Sequence, residues 1–143
     1  MKRSQRGDAY AWFAALMLII GIPLASLSID IVRMMYVRTH LQTATDAACQ
    51  AAADALDVPT YLSTGVKQID PVLARSQADR EFTATLQDAT KIDYSIGGLA
   101  LDYPSPIDAH CTASATVQHI IPMTPAMNVV VQTTSEMRVV GLP

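Results

Sequence analysis

The chain has 143 residues, of which 50 % are hydrophobic and 16 % are charged, and its formal net charge at pH 7 is -3. A disordered chain would contain fewer apolar residues, and a nucleic-acid-binding protein would need a basic face. The composition therefore argues against both classes. With the first 29 residues set aside, the remainder is long enough for one modest domain.

An uncharged apolar stretch runs from Ala9 to Ile29. A helix of about 20 residues spans the roughly 30 Å hydrocarbon core of a bilayer, so we predict a transmembrane helix over residues 9–29. The tip before it, residues 1–8, has more basic residues than the first turns beyond the span. This difference favours a cytoplasmic N-terminus.

A cleaved secretory signal is the alternative for the same stretch. Ser26 and Ser28 offer a small-x-small cleavage site before Ile29. The retained anchor is preferred, because the apolar run is longer than the usual signal core and the helical pattern continues past the cut. A mature N-terminus at Ile29 would exclude the anchor.

A stalk helix is predicted over residues 30–57, where apolar residues recur at steps of three and four. No Pro or Gly interrupts this pattern before Pro59, so span and stalk can form one helix about 70 Å long. Its last part is rich in alanine, whose small side chain permits close packing. We expect these alanines to pack against the head's own sheet, and a neighbouring subunit is the alternative.

The rest of the chain, residues 58–143, is predicted to form an α+β head. The segment from Val58 to Gly65 is interpreted as a turn-rich break. A second helix is predicted to begin with Asp70 as its N-cap and Pro71 at its first position, and to run to about Ala89.

Two later runs, from Cys111 to Ile121 and from Val129 to Val139, show the two-residue alternation of half-buried strands. An earlier run, from Ile92 to Tyr103, is interpreted as a third strand that bulges or bends at Gly97 and Gly98. The two later runs are predicted to pair antiparallel. The predicted fold class is α+β: a long transmembrane and stalk helix, a second helix, and a small antiparallel sheet with one face covered by helix.

The sequence offers little for catalysis. His40, His110 and His119 have neither a histidine partner at helical spacing nor an acidic neighbour at ligand spacing, so no metal site is predicted. The chain also has no GxSxG motif and no glycine-rich phosphate loop. We therefore predict no catalytic residue, no cofactor and no metal, and we expect the protein not to be an enzyme.

Asp30 and Arg33 stand three positions apart where the span meets the lipid headgroups. The simpler expectation is that their charges neutralise each other and set the depth of the helix. The alternative is that Asp30 pairs with a partner helix in an assembly.

The two cysteines, Cys49 and Cys111, form no CxxC pair, so neither a redox dithiol nor a zinc pair is indicated. They are either two buried thiols or a disulfide that ties the stalk to a strand, and the disulfide needs an extracytoplasmic head. A bridge that closes so long a loop could contribute about 4 kcal/mol to the free energy of unfolding. The sequence leaves both readings open.

The stretch from Arg6 to Leu56 resembles the N-terminal module of Tad (Flp) pilus-assembly proteins of the TadE/TadG-like type. In that family an Arg-Gly pair precedes an apolar span. An acidic residue, a basic residue and an aromatic residue follow the span, and then an LQxAxDAAxxAAA run. The matching residues in this chain are Arg6-Gly7, Asp30, Arg33, Tyr36, Leu41, Gln42, Ala44, Asp46, Ala47, Ala48, and Ala51 to Ala53.

The resemblance implies a bitopic, pilin-like protein of a bacterial inner membrane, with its N-terminus in the cytoplasm and its head outside. It also implies contacts with other pilin-like subunits and with Tad inner-membrane assembly proteins. The helix-packing or assembly residues that it implies are Asp30, Arg33, Tyr36, Leu41 and Asp46.

The resemblance also suggests a candidate processing point near the N-terminus. Family members that are processed like prepilins are cut after a glycine and carry Glu at the fifth position beyond it. The corresponding point here lies between Gly7 and Asp8, and Trp12 occupies the position of that Glu. The processing pattern is therefore incomplete in this chain.

These inferences together predict a minor pilin or an assembly accessory of a Tad/Flp-type pilus or a related secretion apparatus. The alternative is a membrane-tethered extracytoplasmic binding or sensor module that is unrelated to pili. Copurification of Tad ATPase, platform or secretin components would favour the first, and a defined small-molecule pocket in the head would favour the second.

Overall fold

The computed structural model describes residues 5–86, 94–119 and 125–138. Its first element, α1, is a single helix of 49 residues, Gln5–Ala53, which is about 70 Å long at 1.5 Å per residue. The predicted continuity of span and stalk is therefore confirmed.

The stalk ends four residues before the predicted position at Asp57. The reason is that the chain beyond Ala53 exchanges helical hydrogen bonds for contacts with a more distant segment. The Asp57 N–H donates to the Gln68 carbonyl at 2.8 Å, and Leu56 forms an isolated antiparallel bridge with Ile69. The alanine-rich pattern alone gave no sign of this stop.

The prediction of a turn-rich break after the stalk is wrong in one respect. The segment contains a short helix, α2, Val58–Thr64. The Asp57 carboxylate caps this helix by accepting from the Thr60 N–H at 3.1 Å and from the Thr60 hydroxyl at 2.6 Å. Gly65 ends it in the left-handed conformation, with φ of 72°. Cap residues at both ends thus stabilise this short helix.

The stabilisation of α2 by its cap is expected to depend on pH. The two hydrogen bonds from Thr60, the hydroxyl bond first, lower the pKa of Asp57 below its ordinary value. A lowered carboxyl pKa means that the stabilisation by the cap is present above the unfolded-state pKa and is lost as pH falls through the folded-state pKa.

We expect Thr60→Val to raise the pKa of Asp57 part of the way back, because only the hydroxyl donor is removed and the Thr60 N–H remains. An NMR titration of the Asp57 carboxyl measures this shift. Thr64→Val is the matched control, since the Thr64 hydroxyl donates to the Thr60 carbonyl and does not touch Asp57. Equal Asp57 titration curves in wild type and Thr60→Val would contradict the assignment of the cap.

The second predicted helix is confirmed as α3, Pro71–Leu86. The Asp70 carboxylate accepts from the Val72 and Leu73 N–H groups at 2.9 and 3.2 Å, as expected of the N-cap. The predicted end near Ala89 lies outside the described residues. The buried side chains of α3 recur at steps of four and are Ala74, Ala78, Phe82 and Leu86.

Three antiparallel strands complete the head and confirm the α+β fold. They are β1, Tyr94–Ser105, β2, Asp108–Val117, and β3, Met127–Glu136, with β2 in the centre. The central strand begins three residues before the predicted start and ends before His119. The predicted ends at Ile121 and Val139 lie outside the described residues.

The predicted irregularity in the first strand is confirmed as a bulge. Ile96 pairs with Ala115 and Gly98 pairs with Ser114, so Gly97 is the extra residue. A Cβ atom at Gly97 would overlap the Ser114 hydroxyl, and Gly98 has a φ of 103°. Gly98 therefore needs glycine for its backbone conformation, and a side chain at position 97 would require the Ser114 hydroxyl to move.

The core lies between the sheet and the second half of α1, with α3 packed beside it. Most alanines of the stalk face the head, as expected for packing against the head's own sheet. Ala44, Ala48 and Ala52 are fully buried, as are Ala109 and Ala113 on the facing strand. Small side chains on both surfaces let the helix lie close to the sheet.

Candidate functional site

The first half of α1 projects from the head and has apolar side chains on its surface. α1 is the one described helix that is long and apolar enough to cross a membrane, and the apolar window is wholly unburied in the subunit. Trp12 is 77 % exposed and Ile19 is 73 % exposed. Such a surface needs a lipid or protein environment, so the helix indicates membrane anchoring.

Asp30 marks the point where the exposed half of α1 meets the head. Its Oδ2 atom lies 3.2 Å from Nδ1 of His119, which follows β2. Its Oδ1 atom lies 3.9 Å from the Arg33 guanidinium, at the long end of the range for an ion pair. The Asp30 side chain is only 10 % exposed. Asp30 therefore joins the anchor helix to the head.

Tyr36 lies one and a half turns further along α1. Its ring packs against the His40 ring, with centroids 4.1 Å apart and planes inclined by 50°. On the head side, burial raises the pKa of Tyr94, and neighbouring Tyr36 adds to the effect. The Tyr94 hydroxyl is buried and has no hydrogen-bond partner among the described residues. Tyr94 therefore stays protonated at neutral pH.

Asp46 fastens the stalk to the outer strand of the sheet. Its Oδ1 atom accepts hydrogen bonds from Gln42 Nε2 at 2.8 Å and from the Thr133 hydroxyl of β3. Gln42 Nε2 also donates to the Thr133 hydroxyl at 3.0 Å. Leu41, 1 % exposed, lies in the core beside this group. The structure thus gives Leu41 and Asp46 contacts within their own subunit.

The structure joins Cys49 of α1 to Cys111 of β2 by a disulfide. The two Cα atoms are 5.6 Å apart, which suits a bridge. Both residues are fully buried, so the bridge crosses the core between stalk and sheet. It links parts of the chain that are 62 positions apart.

A second apolar surface lies at the far tip of the head, which sequence reasoning missed. α2 buries none of its residues. The loop after α2 and the first turn of α3 extend the exposed surface. We name this surface the tip patch, and its members are Val58, Tyr61, Leu62, Val66, Val72 and Leu73. The available signal was the helical spacing of Val58, Tyr61 and Leu62 directly after the Asp57 cap.

Residues 9–55 match the Tad family model, described as "Putative Flp pilus-assembly TadE/G-like". The resemblance predicted from the sequence is therefore confirmed for this segment. No match to a curated protein or to a solved structure was found. The Tad match indicates a protein related to pilus assembly, and the helix that carries it supports a pilin-like, membrane-anchored architecture.

We call residues 9–55 the Tad segment. Each stalk-to-head contact named in the next sentence joins one residue of this segment to one residue beyond it. The segment includes Asp30, Asp46 and Cys49, whereas their partners His119, Thr133 and Cys111 come from beyond it. The Tad segment is thus completed by the sheet that follows.

The structure does not test the predicted processing point. Gly7 and Asp8 lie within the backbone of α1, and processing between them stays a prediction. Within residues 5–86, 94–119 and 125–138, no group of three or more His, Cys, Asp or Glu side chains is placed to hold a metal ion.

Proposed function

We propose that the protein is a pilin-like, membrane-anchored component, a minor pilin or an assembly accessory, of a Tad/Flp-type pilus or a related secretion apparatus. The observation that carries the proposal is one 49-residue helix with two different surfaces. Its first half exposes apolar side chains, and its second half is locked into an α+β head. The Tad match covers both halves.

The proposed placement is a single pass through the bacterial inner membrane. Residues 9–29 form the span, the basic tip faces the cytoplasm, and the stalk and head lie outside. The Cys49–Cys111 bridge supports this orientation, since disulfides persist in oxidising compartments. The exposed span would contact other pilin-like subunits and Tad inner-membrane assembly proteins through lateral helix packing.

The tip patch is the proposed contact for an assembly partner outside the membrane. It lies beyond the end of α1, about 35 Å along the helix from Asp30. Leu62 is 78 % exposed and Val72 is 80 % exposed. Apolar side chains of this size rarely gather on a soluble surface without a partner.

The proposal is tested by extracting the tagged full chain in mild detergent and identifying the proteins that copurify. We expect Tad ATPase, platform or secretin components in the eluate, and loss of pili when the gene is deleted. Normal piliation in the deletion strain, with none of these components in the eluate, would reject the proposal. A specific small molecule bound to the head would then favour the tethered binding or sensor module.

The tip patch gives a sharper form of the same test. Leu62→Glu should lower the yield of copurified components about tenfold, because it places a charge in an apolar contact. The thermal midpoint of the head should stay unchanged, since the side chain is exposed. Arg80→Glu, at an exposed position of α3, is the control for an added negative charge. Equal yields for Leu62→Glu and wild type would exclude the tip patch as the contact.

A further inference from the structure

We propose that the end of the head nearest the span rests on the lipid surface of the bilayer that holds the anchor. This inference rests on the proposed membrane anchoring and adds a second contact with the same membrane. Three side chains carry it, and we name them the rim: Ile96, Met127 and Val130. They are the three large apolar side chains exposed on the described strands, at 40, 43 and 56 %.

The strand register places the rim in the half of the sheet nearest Asp30, with Val130 opposite Ser114. β2 runs toward His119, which contacts Asp30. Met127 pairs with Val117, the last residue of β2, while Ile96 pairs with Ala115. The opposite end of the sheet, at the Pro106 turn, is tied to the segment beyond α1 by a hydrogen bond from the Ile69 N–H to the Pro106 carbonyl, 2.8 Å long.

The part of the head beside Val130 begins within the lipid headgroup region and reaches a few ångströms beyond it. A cleft between α1 and β3 is lined by Met34, Met35, Arg38, Asn128, Val129 and Val130. Its α1 residues follow Asp30 by four to eight positions, or about 6–12 Å along the axis. The headgroup layer on each side of the hydrocarbon core is about 5–8 Å thick. α1 itself exposes Val32 and Met35 at this level, at 66 and 64 %.

The acidic residues of the sheet lie at the end away from the rim. No Asp or Glu occurs in residues 94–101, 109–119 or 125–135 of the described sheet. The acidic residues of the strands lie at the other end, at Asp102, Asp108 and Glu136. Arg33 and Arg38 of α1 lie on the rim's side of the head. Asp30 also lies at this end, but its side chain is 10 % exposed and contacts Arg33 and His119. An anionic bilayer attracts the arginines of this end and repels the acidic end, so charge and apolar exposure favour the same orientation.

Lipid is the occupant that these observations favour over a second copy of the chain. Met35 of α1 and Val130 of the rim line the same cleft, and Val32 extends the exposed apolar surface of α1 toward the span. A bilayer around the span therefore already reaches the level of the rim. The rim side chains come from both outer strands and from both faces of the sheet. Ile96 and Met127 share the face that α1 covers, and Val130 lies on the other face. They therefore do not form one flat strand edge.

The test places single nitroxide labels on the full chain in vesicles of phosphatidylcholine and phosphatidylglycerol. Ile96→Cys and Val130→Cys report on the rim, on two different strands. Leu62→Cys is the water-exposed control, and Ile19→Cys reports on the middle of the span. The native cysteines are paired and do not take the label, and the intact mass verifies the bridge. Collision with a water-soluble nickel complex measures exposure to water.

We expect the two rim labels to be at least threefold less accessible to the nickel complex than the Leu62 label. Rim labels as accessible as Leu62, with the Ile19 label still protected, would overturn the inference and leave the anchor intact. A water-accessible Ile19 label would instead reject the anchoring itself. Rim protection that disappears when the protein is diluted in excess lipid would point to a second copy and also overturn the inference.

Discussion

Replacing Cys49 and Cys111 together with alanine should lower the free energy of unfolding of the head by about 4 kcal/mol. The bridge closes a loop across 62 positions, and without it the unfolded chain gains the conformational freedom of that loop. Because both residues are fully buried, the smaller alanine side chains also leave the core less well filled. The loss is measured by urea unfolding of the detergent-solubilised chain, followed by circular dichroism.

Chemical reduction of the wild-type chain is the matched control for the cysteine variant, because it opens the same loop without changing a residue. Both should shift the urea midpoint in the same direction and by a similar amount. A double variant within 1 kcal/mol of the oxidised wild type would contradict the stabilising role of the bridge. Non-reduced mass spectrometry that finds two free thiols in protein from the envelope would remove the bridge itself.

Leu41→Ala should lower the free energy of unfolding by about 3 kcal/mol, within the usual range for a buried leucine. The Leu41 side chain is 1 % exposed and lies between α1 and the head, so its removal leaves a cavity that the surrounding elements fill only in part. The same urea titration measures the effect. This is the second large expected loss, and it concerns a residue of the Tad segment.

Leu62→Ala provides the same chemical change at an exposed position, since Leu62 is 78 % exposed. It should change the free energy of unfolding by less than about 0.5 kcal/mol. Equal effects of the two substitutions would show that Leu41 is not part of the core. The two substitutions thus distinguish Leu41, which stabilises the subunit, from Leu62, which lies on the surface and is free to contact a partner.

Much of the fold follows from local patterns in the sequence. The continuous helix, the Asp70 cap and the alternation in the strands depend on residues within a few positions of one another. The bulge at Gly97 is also local, because adjacent glycines weaken a strand whatever lies beside it. The short α2 helix lies where a break was predicted, although its caps, Asp57 and Gly65, are local signals.

The contacts that join the stalk to the head depend on the tertiary structure. Asp30 lies 89 positions from His119, and Asp46 lies 87 positions from Thr133. No pattern within either segment indicates the other. The same holds for the choice between two thiols and a bridge, which depends on whether strand register brings Cys111 opposite Cys49.

The sequence by itself determined that this chain has an apolar helix long enough for a membrane, a stalk that resembles that of Tad proteins, and an α+β head. Only the tertiary structure decided which side of the stalk is buried, what Asp30 and Asp46 contact, and which end of the sheet lies near the span. The physical reason is the distance along the chain between the residues that interact. Helix and strand periodicity arise from neighbours along the chain, whereas the docking of helix on sheet is set by how all buried side chains fit together at once.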